Sequence, residues 1–350
     1  MSQAAPTAPT APPPRPPRRR LAALWTVLRW LAVAVIVYFV GKVLAGGIGK
    51  VDWAALRVHW GWLLLSPLPV VLALTLEAWA VRLAYRKFGA SFAVPRTLFL
   101  VALPQLGKYL PGKVLALAGH VALAKGYGAS GKVIASVLVL LQFLAILASV
   151  LLSLAGGAMH APQGPATALP GASPAEAQFL LVLHLVLWVA AIGGMALLLV
   201  PRLYLWVLNQ GLRLIRRQPI ESTLNVGTML KLTVLLTGRT LGYSLGFAMM
   251  AKAVVPRLTF SAVPDLVVAF CLANLVGYLA LFAPAGIGPR DGMYILLLAP
   301  IMSPPEAGLV TLMVRVWQTL MDLWIVGLGF GAVAIWPDTK PPPSLPNTKG

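Results

Sequence analysis

Long apolar runs constrain this chain more than any other feature of its sequence. A transmembrane helix needs about 20 consecutive apolar residues, and lipid offers no hydrogen-bond partner to a backbone group that the protein leaves unpaired. Runs of about this length cover residues 21–44, 61–84, 133–154, 179–200, 229–250, 264–282 and 307–336. The sequence therefore predicts an all-α, polytopic helical membrane protein with about seven full transmembrane helices.

The composition excludes an ordinary soluble domain. Hydrophobic residues make up 59% of the chain and charged residues only 11%, whereas about a quarter of the residues in a globular domain are charged. The net charge of +19 comes from basic residues scattered between the apolar runs, which is typical of orientation signals and of contacts with anionic lipids. We therefore expect membrane lipids, anionic ones in particular, as partners, and no nucleic acid.

Basic residues at the ends of the runs predict the orientation. The arginines at 18–20 precede the first run and are expected to hold the N-terminus in the cytoplasm, whereas 156–178 lacks Lys and Arg and reads as an external loop. Residues 1–20 are predicted to be a disordered cytoplasmic segment, because they are rich in Pro, Ala and Thr. Residues 21–336 are expected to form a single transmembrane domain, followed by a disordered tail at 337–350.

The sequence contains no recognisable catalytic set or metal site. The single cysteine, Cys271, lies in an apolar run, and the four histidines are far apart and lack metal-ligand spacing. Gly-x-Ser-x-Gly and Walker motifs are absent, and the longest stretch between runs is too short for a cytosolic enzyme domain. We expect neither enzymatic activity nor a cofactor.

A polar break interrupts the apolar sequence between the second and third full runs. Residues 107–113 read Gly-Lys-Tyr-Leu-Pro-Gly-Lys, and Pro111 removes a backbone donor and clashes with the preceding turn of a helix. The break could be a cytoplasmic loop between two short helices. It could also be the tip of a re-entrant pair of half-helices, buried in protein or lining a wet cavity. We favour the second alternative, because a similar break recurs in the second half of the chain.

That second break follows the sixth run, where residues 283–292 read Ala-Pro-Ala-Gly-Ile-Gly-Pro-Arg-Asp-Gly. The apolar piece after it, 293–302, is too short to span a bilayer. Pro289 suits the first position of a helix and Asp291 suits its first turn. The break could equally be a plain turn that joins two spans. The fold prediction is therefore seven full spans plus two broken or re-entrant elements.

Paired broken segments point to a binding site in secondary transporters. A helix that starts at membrane depth presents unpaired N–H groups, with partial positive charge, to an anion. Lys108, Lys113 and Arg290 would add charge at the two helix starts, and arginine suits bidentate contact with phosphate. The predicted head-group contacts also include Tyr109 and Asp291, with supporting positions at Pro111, Gly112, Gly286 and Gly288.

Charged residues within the apolar runs are the second predicted group, because each is costly in lipid and usually faces a partner or a cavity. Arg239 lies near the centre of the fifth run. Arg315, Gln318 and Asp322 recur at helical spacing in the last run and share one face. They could form a structural Arg315–Asp322 pair. Alternatively, Arg315 and Arg239 could line an inner path for an anionic head group.

Two further polar positions are expected to have different roles. Asn274 and Tyr278 share a face of the sixth run and could donate hydrogen bonds inside the bundle. Glu77 lies near the cytoplasmic end of the second run, shortly before Arg82, and is expected to be structural.

The two motifs resemble those of the lysylphosphatidylglycerol synthase transmembrane family, also called the flippase-like domain family. The stretch 107–113 looks like the family signature, and 284–291 is similar to its Pro-x-Gly-x-Gly-x-Arg-Glu stretch, with Pro289 and Asp291 as departures. Arg315 and Arg82 match basic positions of the family's last and second helices. The resemblance covers roughly residues 22 to 335.

The resemblance implies an integral, multi-pass protein of a bacterial-type inner membrane, whose domain is thought to translocate lipids. Larger members carry a cytosolic aminoacyl transferase that has no counterpart in this sequence, so lysyl transfer is not expected. We therefore expect a lipid translocator that handles an anionic or phosphate-bearing head group. The alternative is a non-transporting scaffold or partner of a glycosyltransferase or lipid-modifying enzyme.

Overall fold

The computed structural model describes residues 58–105, 114–160, 174–214, 224–280 and 288–336, and these contain no β-strand. The helices are α1 (Trp60–Leu65), α2 (Pro67–Lys87), α3 (Val94–Ala102), α4 (Val114–Gly126), α5 (Gly131–His160), α6 (Pro174–Leu199), α7 (Pro201–Leu214), α8 (Val226–Val254), α9 (Val263–Leu279), α10 (Pro289–Leu298) and α11 (Pro304–Ile335), with a 3₁₀ turn at Phe260–Ala262.

Several predicted features lie outside the described residues. They are the first apolar run at 21–44, the terminal segments 1–20 and 337–350, the first break at 107–113, and residues 283–287 of the second break. The count of seven full spans therefore stays a prediction.

Five helical stretches are long and apolar enough to cross a membrane. They are Trp60–Lys87, Gly131–Ala158, Leu181–Leu199, Phe260–Leu279 and Pro304–Ile335. Each coincides with a predicted run, so the prediction of an all-helical, membrane-embedded chain is confirmed at this level. The predicted run 229–250 forms α8, which has the length of a span but is less apolar, because it contains Lys231, Arg239 and Lys252.

The central helix α8 runs antiparallel to α2. A Cβ added to Gly246 would lie 2.9 Å from the carbonyl oxygen of Ser66, at the start of α2. A Cβ added to Gly242, one turn earlier on α8, would lie 2.6 Å from the carbonyl oxygen of Pro69, further along α2. Only glycine permits such a close approach of two helix backbones. This contact sets the register between α2 and α8. The register in turn determines which side chains of the two helices lie opposite each other.

The same succession of helices occurs twice along the described chain. The long helix α2 is followed by the shorter α3 and α4 and then by the long α5. The long helix α8 is likewise followed by the shorter α9 and α10 and then by the long α11. In each succession a break containing Gly and Pro separates the two shorter helices. Because α2 and α8 are antiparallel, the two successions run in opposite directions.

Helix α11 contacts short helices of both successions. Towards its C-terminal end, a Cβ added to Gly329 would lie 2.7 Å from the Cβ of Ala102, the last residue of α3. In its middle, Nε1 of Trp317 donates a hydrogen bond of 2.8 Å to Oγ of Ser66. At the same level of the helix, Arg315 and Gln318 contact Asp291 and Arg290 of α10. α11 therefore connects the two halves of the bundle.

Aromatic packing fixes the short helix α10 against the bundle. The ring centroid of Phe247 on α8 lies 5.7 Å from that of Phe270 on α9 and 5.3 Å from that of Tyr294 on α10. Phe247 and Tyr294 are fully buried. Each such aromatic contact adds about 0.5–1.5 kcal/mol to the stabilisation that burial itself provides. The start of α10 is thereby held at a fixed place beside α9 and α11.

Candidate functional site

A polar cavity of about 100 Å³ lies between α5, α8, α9, α10 and α11. Its wall carries two guanidinium groups, three side-chain amides, two tyrosine hydroxyls and one carboxylate. The lining residues are Gln105, Ser149, Arg239, Thr240, Tyr243, Phe270, Cys271, Asn274, Gly277, Tyr278, Arg290, Trp317, Gln318, Met321 and Asp322. Because one buried water needs about 10–15 Å³, the cavity can hold several waters or one group the size of a phosphate.

Residues beside both breaks line this cavity. Gln105 is the last described residue before the first break, and Tyr278 and Arg290 lie on either side of the second. Gln105 belongs to the first succession of helices and the other two belong to the second. Sequence reasoning had no means of deciding whether the flanks of the two breaks meet in space, and the tertiary structure brings them together.

Arg290, the second residue of α10, enters the cavity over a glycine. A Cβ added to Gly277 would lie 3.3 Å from Cδ of Arg290, so the glycine makes room for the arginine stem. Nη1 of Arg290 donates a hydrogen bond of 2.7 Å to Oε1 of Gln318, and its guanidinium lies 6.0 Å from the ring centroid of Tyr294. Nε of Arg290 is buried without a hydrogen-bond acceptor among the described residues. A buried donor of this kind favours an acceptor that enters the cavity.

Arg239 of α8 lines the cavity and pairs with Glu77 of α2. Its Nη2 donates a hydrogen bond of 3.2 Å to Oε1 of Glu77. Its Nε lies 3.2 Å from Oε2 without the alignment of a hydrogen bond. The two side chains are only 17% and 16% exposed, and the guanidinium also lies 5.1 Å from the ring centroid of Tyr243. The pair is therefore only partly exposed, and only one of its two contacts is well directed.

Arg315 of α11 pairs with Asp291 of α10 instead of with Asp322. Nε of Arg315 donates a hydrogen bond of 2.9 Å to Oδ1 of Asp291, and Nη2 donates to Oδ2. Arg315 has this partner because the Asp291 carboxylate lies beside it, whereas Asp322 lies two helical turns away on α11. Neither Arg315 nor Asp291 is part of the cavity lining. An inner path through Arg315 does not follow this cavity wall and stays a prediction.

The start of α10 confirms one prediction and corrects another. The helix begins at Pro289 with Asp291 in its first turn, as predicted. The preceding Gly288 has φ of +93°, in the left-handed region that favours glycine. However, the N–H of Gly288 donates a hydrogen bond of 2.7 Å to Oδ2 of Asp291. The chain's own carboxylate thus occupies this N–H, and Gly288 does not present it to a ligand anion.

Three predicted supporting residues do line the cavity, namely Asn274, Gln318 and Asp322. Nδ2 of Asn274 donates to the carbonyl oxygen of Phe270 at 2.7 Å and to the hydroxyl oxygen of Tyr294 at 3.2 Å. Asp322 is buried. The predicted common face of Asn274 and Tyr278 is also observed, since both side chains line the same wall.

The remaining predicted residues lie outside the described part of the chain. They are Lys108, Tyr109, Pro111, Gly112, Lys113 and Gly286.

Some polar residues of the site were not predicted from the sequence, and the partner of Glu77 was not predicted either. Glu77 was expected only to be a structural residue near Arg82, and its carboxylate pairs with Arg239 on another helix. Gln105, Thr240 and Tyr243 also line the cavity. Within α8, the common face of Arg239, Tyr243 and Gly246, at spacings of four and three residues, was an available signal. No signal within one helix relates Glu77 to Arg239.

The charges of the site distinguish its three arginines. Arg239 and Arg315 each pair with a carboxylate, from Glu77 and Asp291 respectively. Arg290 forms no ion pair with a described residue and donates to the neutral amide of Gln318. Its charge is therefore the one best able to attract an anion into the cavity. Among the described residues, no group of His, Cys, Asp and Glu comes together as a metal site.

Comparison with known proteins leaves the family open, because no family model matches the chain and no curated protein matches it significantly.

Proposed function

We propose that this protein translocates a lipid with an anionic, phosphate-bearing head group across the membrane, and that the polar cavity receives the head group. The observation that carries the proposal is the cavity itself. It lies inside a bundle of membrane-embedded helices, its wall includes residues from beside both breaks, and Arg239 and Arg290 both line it. Charged groups are costly inside a membrane and are retained where they face a ligand or a partner.

The size of the cavity supports a site that encloses only the head group of the lipid. A pocket that encloses a drug-sized ligand measures about 300–1,000 Å³, whereas this cavity measures about 100 Å³. It therefore suits the phosphate of a head group and a few waters, while the acyl chains stay in the bilayer. Arginine is the appropriate residue for this contact, because its planar guanidinium can donate two parallel hydrogen bonds to a phosphate.

The repeated succession of helices supports a transporter architecture. In the proposed arrangement, the breaks at 107–113 and 283–292 belong to re-entrant hairpins that enter from opposite sides of the membrane. Inverted repeats of this kind place a substrate site at the repeat interface, near the bilayer midplane. The antiparallel contact of α2 and α8 and the position of the cavity between the two successions support this arrangement.

The remaining features of the proposal come from the sequence. They are seven full spans, a cytoplasmic N-terminus, a bacterial-type inner membrane and membership of the lysylphosphatidylglycerol synthase transmembrane family. In the proposed mechanism, Lys108 and Lys113 attract the head group on the cytoplasmic side before it meets Arg290.

The test is lipid redistribution in reconstituted vesicles. Purified protein is placed in vesicles that contain a fluorescent anionic phospholipid, and a membrane-impermeant reductant then quenches the label in the outer leaflet. We expect wild-type protein to raise the fraction of label that becomes accessible, and Arg290→Gln to lower the rate at least about tenfold, as the loss of one charge-assisted contact implies. Arg257→Gln is the matched control, because Arg257 pairs with Glu306 at an exposed position outside the cavity.

Equal rates of lipid movement for a folded Arg290→Gln variant and the wild type would contradict the proposal that the cavity binds the head group. If the wild type moves no lipid at all, the alternative of a scaffold for a glycosyltransferase or lipid-modifying enzyme takes precedence, and co-purification of a stoichiometric enzyme is the next measurement.

A further inference from the structure

Glu77 occupies an unusual position relative to the cavity. Its partner Arg239 is part of the cavity wall, but Glu77 is not. The carboxylate lies behind the guanidinium on α2, where the close contact of α2 with α8 fixes it. A Cβ added to Gly238, next to Arg239, would lie only 2.9 Å from Cδ1 of Leu76, next to Glu77. Arg239 therefore has a fixed carboxylate on one side and the cavity on the other.

The contact between the Arg239 guanidinium and the Glu77 carboxylate is longer than a typical hydrogen bond between such groups. Charge-assisted hydrogen bonds between guanidinium and carboxylate measure about 2.7–2.9 Å, whereas both contacts here measure 3.2 Å. Nε of Arg239 and Oε2 of Glu77 have no hydrogen bond to any described residue. An incoming oxyanion with well-directed oxygens can therefore compete for the Arg239 guanidinium.

Other unsatisfied donors lie along the same wall. Nε of Arg290 and the hydroxyl of Thr240 are both buried without a hydrogen-bond partner among the described residues. Both residues line the cavity together with Arg239. An oxyanion in the cavity would give these groups the acceptors that they lack, and would gain a second guanidinium if Arg239 turned away from Glu77.

We propose that Glu77 is a built-in competitor for Arg239, which an oxyanion in the cavity must displace, so that Glu77 lowers the affinity of the site and promotes release. The identification of the oxyanion as part of a lipid rests on the proposed function, but its binding can be measured without transport. A head group held by both Arg239 and Arg290 would leave slowly, and a Glu77 carboxylate that pairs with Arg239 again speeds its departure.

The test is binding of inorganic phosphate to the full chain in detergent, measured as the rise in unfolding temperature with phosphate concentration. A ligand that binds only the folded state raises the free energy of unfolding by RT ln(1 + L/Kd), where L is the free ligand concentration. Chloride at matched ionic strength corrects for the effect of salt. We expect phosphate-specific stabilisation of the wild type, and its loss in Arg290→Gln.

The decisive comparison is Glu77→Gln, which removes the competing charge and keeps the shape. We expect the phosphate Kd obtained from this concentration dependence to fall about tenfold or more, as the coupling of close charge pairs implies. Glu77→Asp retains the charge but moves it one methylene further from Arg239. Its phosphate affinity should lie between those of the wild type and Glu77→Gln. Glu306→Gln is the control, since it removes a carboxylate from an exposed pair outside the cavity, and its phosphate affinity should equal that of the wild type.

Equal phosphate affinity in the wild type, Glu77→Gln and Glu77→Asp would overturn the inference, and so would the absence of phosphate-specific stabilisation in the wild type. The outcome is separate from that of the transport assay. Tighter phosphate binding by Glu77→Gln without any lipid movement would support the competing role of Glu77 and contradict lipid translocation. Lipid movement with unchanged phosphate affinity in Glu77→Gln would support lipid translocation and contradict the competing role of Glu77.

Discussion

Two partly buried arginine–carboxylate pairs in this protein have almost the same exposure but different hydrogen bonding. In both, the arginine side chain is 17% exposed and the carboxylate side chain 16%. Asp291 receives two directed hydrogen bonds from Arg315 and one from the N–H of Gly288. Glu77 receives one directed hydrogen bond from Arg239, at 3.2 Å. Burial alone therefore does not tell how well each pair is hydrogen-bonded.

The difference arises from what else each arginine can reach. Arg315 lies away from the cavity, so its carboxylate is the partner that must compensate its charge. Arg239 faces the cavity, where waters or an anion can provide a second partner. The Asp291–Arg315 pair thus stabilises the start of α10 against α11, while the Glu77–Arg239 pair leaves its arginine available for exchange.

The largest effect is expected from breaking the better-directed pair. Asp291→Asn should lower the free energy of unfolding by about 3–5 kcal/mol, because it leaves the buried charge of Arg315 without compensation. Chemical denaturation in detergent measures the loss. Glu306→Gln, in the exposed pair with Arg257, should change it by no more than about 1 kcal/mol. Near wild-type stability of Asp291→Asn would show that this pair is not the structural one.

A smaller effect on stability is expected from Glu77→Gln in the absence of phosphate. The free energy of unfolding should fall by about 1–3 kcal/mol, because the amide oxygen can still accept from Arg239 and the cavity can supply water. The same denaturation experiment, carried out beside Asp291→Asn, gives the comparison directly. A loss as large as that of Asp291→Asn would mean that Arg239 depends on Glu77 as fully as Arg315 depends on Asp291.

The smallest structural change tests the position of Arg290. Gly277→Ala places a methyl group 3.3 Å from Cδ of Arg290, so the arginine must shift by a few tenths of an ångström. We expect a severalfold lower rate of lipid movement, with a change in the free energy of unfolding within about 1 kcal/mol. The matched control is Gly327→Ala on α11, where a Cβ meets no described atom within 4 Å. Equal lipid rates in the two variants would argue against a requirement for this placement of Arg290.

Several residues of the site were predictable because their signals are local. Apolar runs predict membrane helices, since the cost of exposing polar backbone to lipid applies to every residue of a run. Pro289 and Asp291 predict the start of α10, since proline and an acidic residue suit the first turn of any helix. A charge within a run predicts an inward-facing side chain, and Arg239 and Asp322 both line the cavity.

What the sequence alone determined is thus the helical, membrane-embedded class, the start of α10 and a set of inward polar residues. Only the tertiary structure decided the partners of these residues. Glu77 meets Arg239 across two helices whose register depends on Gly242 and Gly246, and Arg315 meets Asp291 on a neighbouring helix. The physical reason is that an ion pair forms between the charges that packing brings within a few ångströms, and separation along the chain carries no information about that distance.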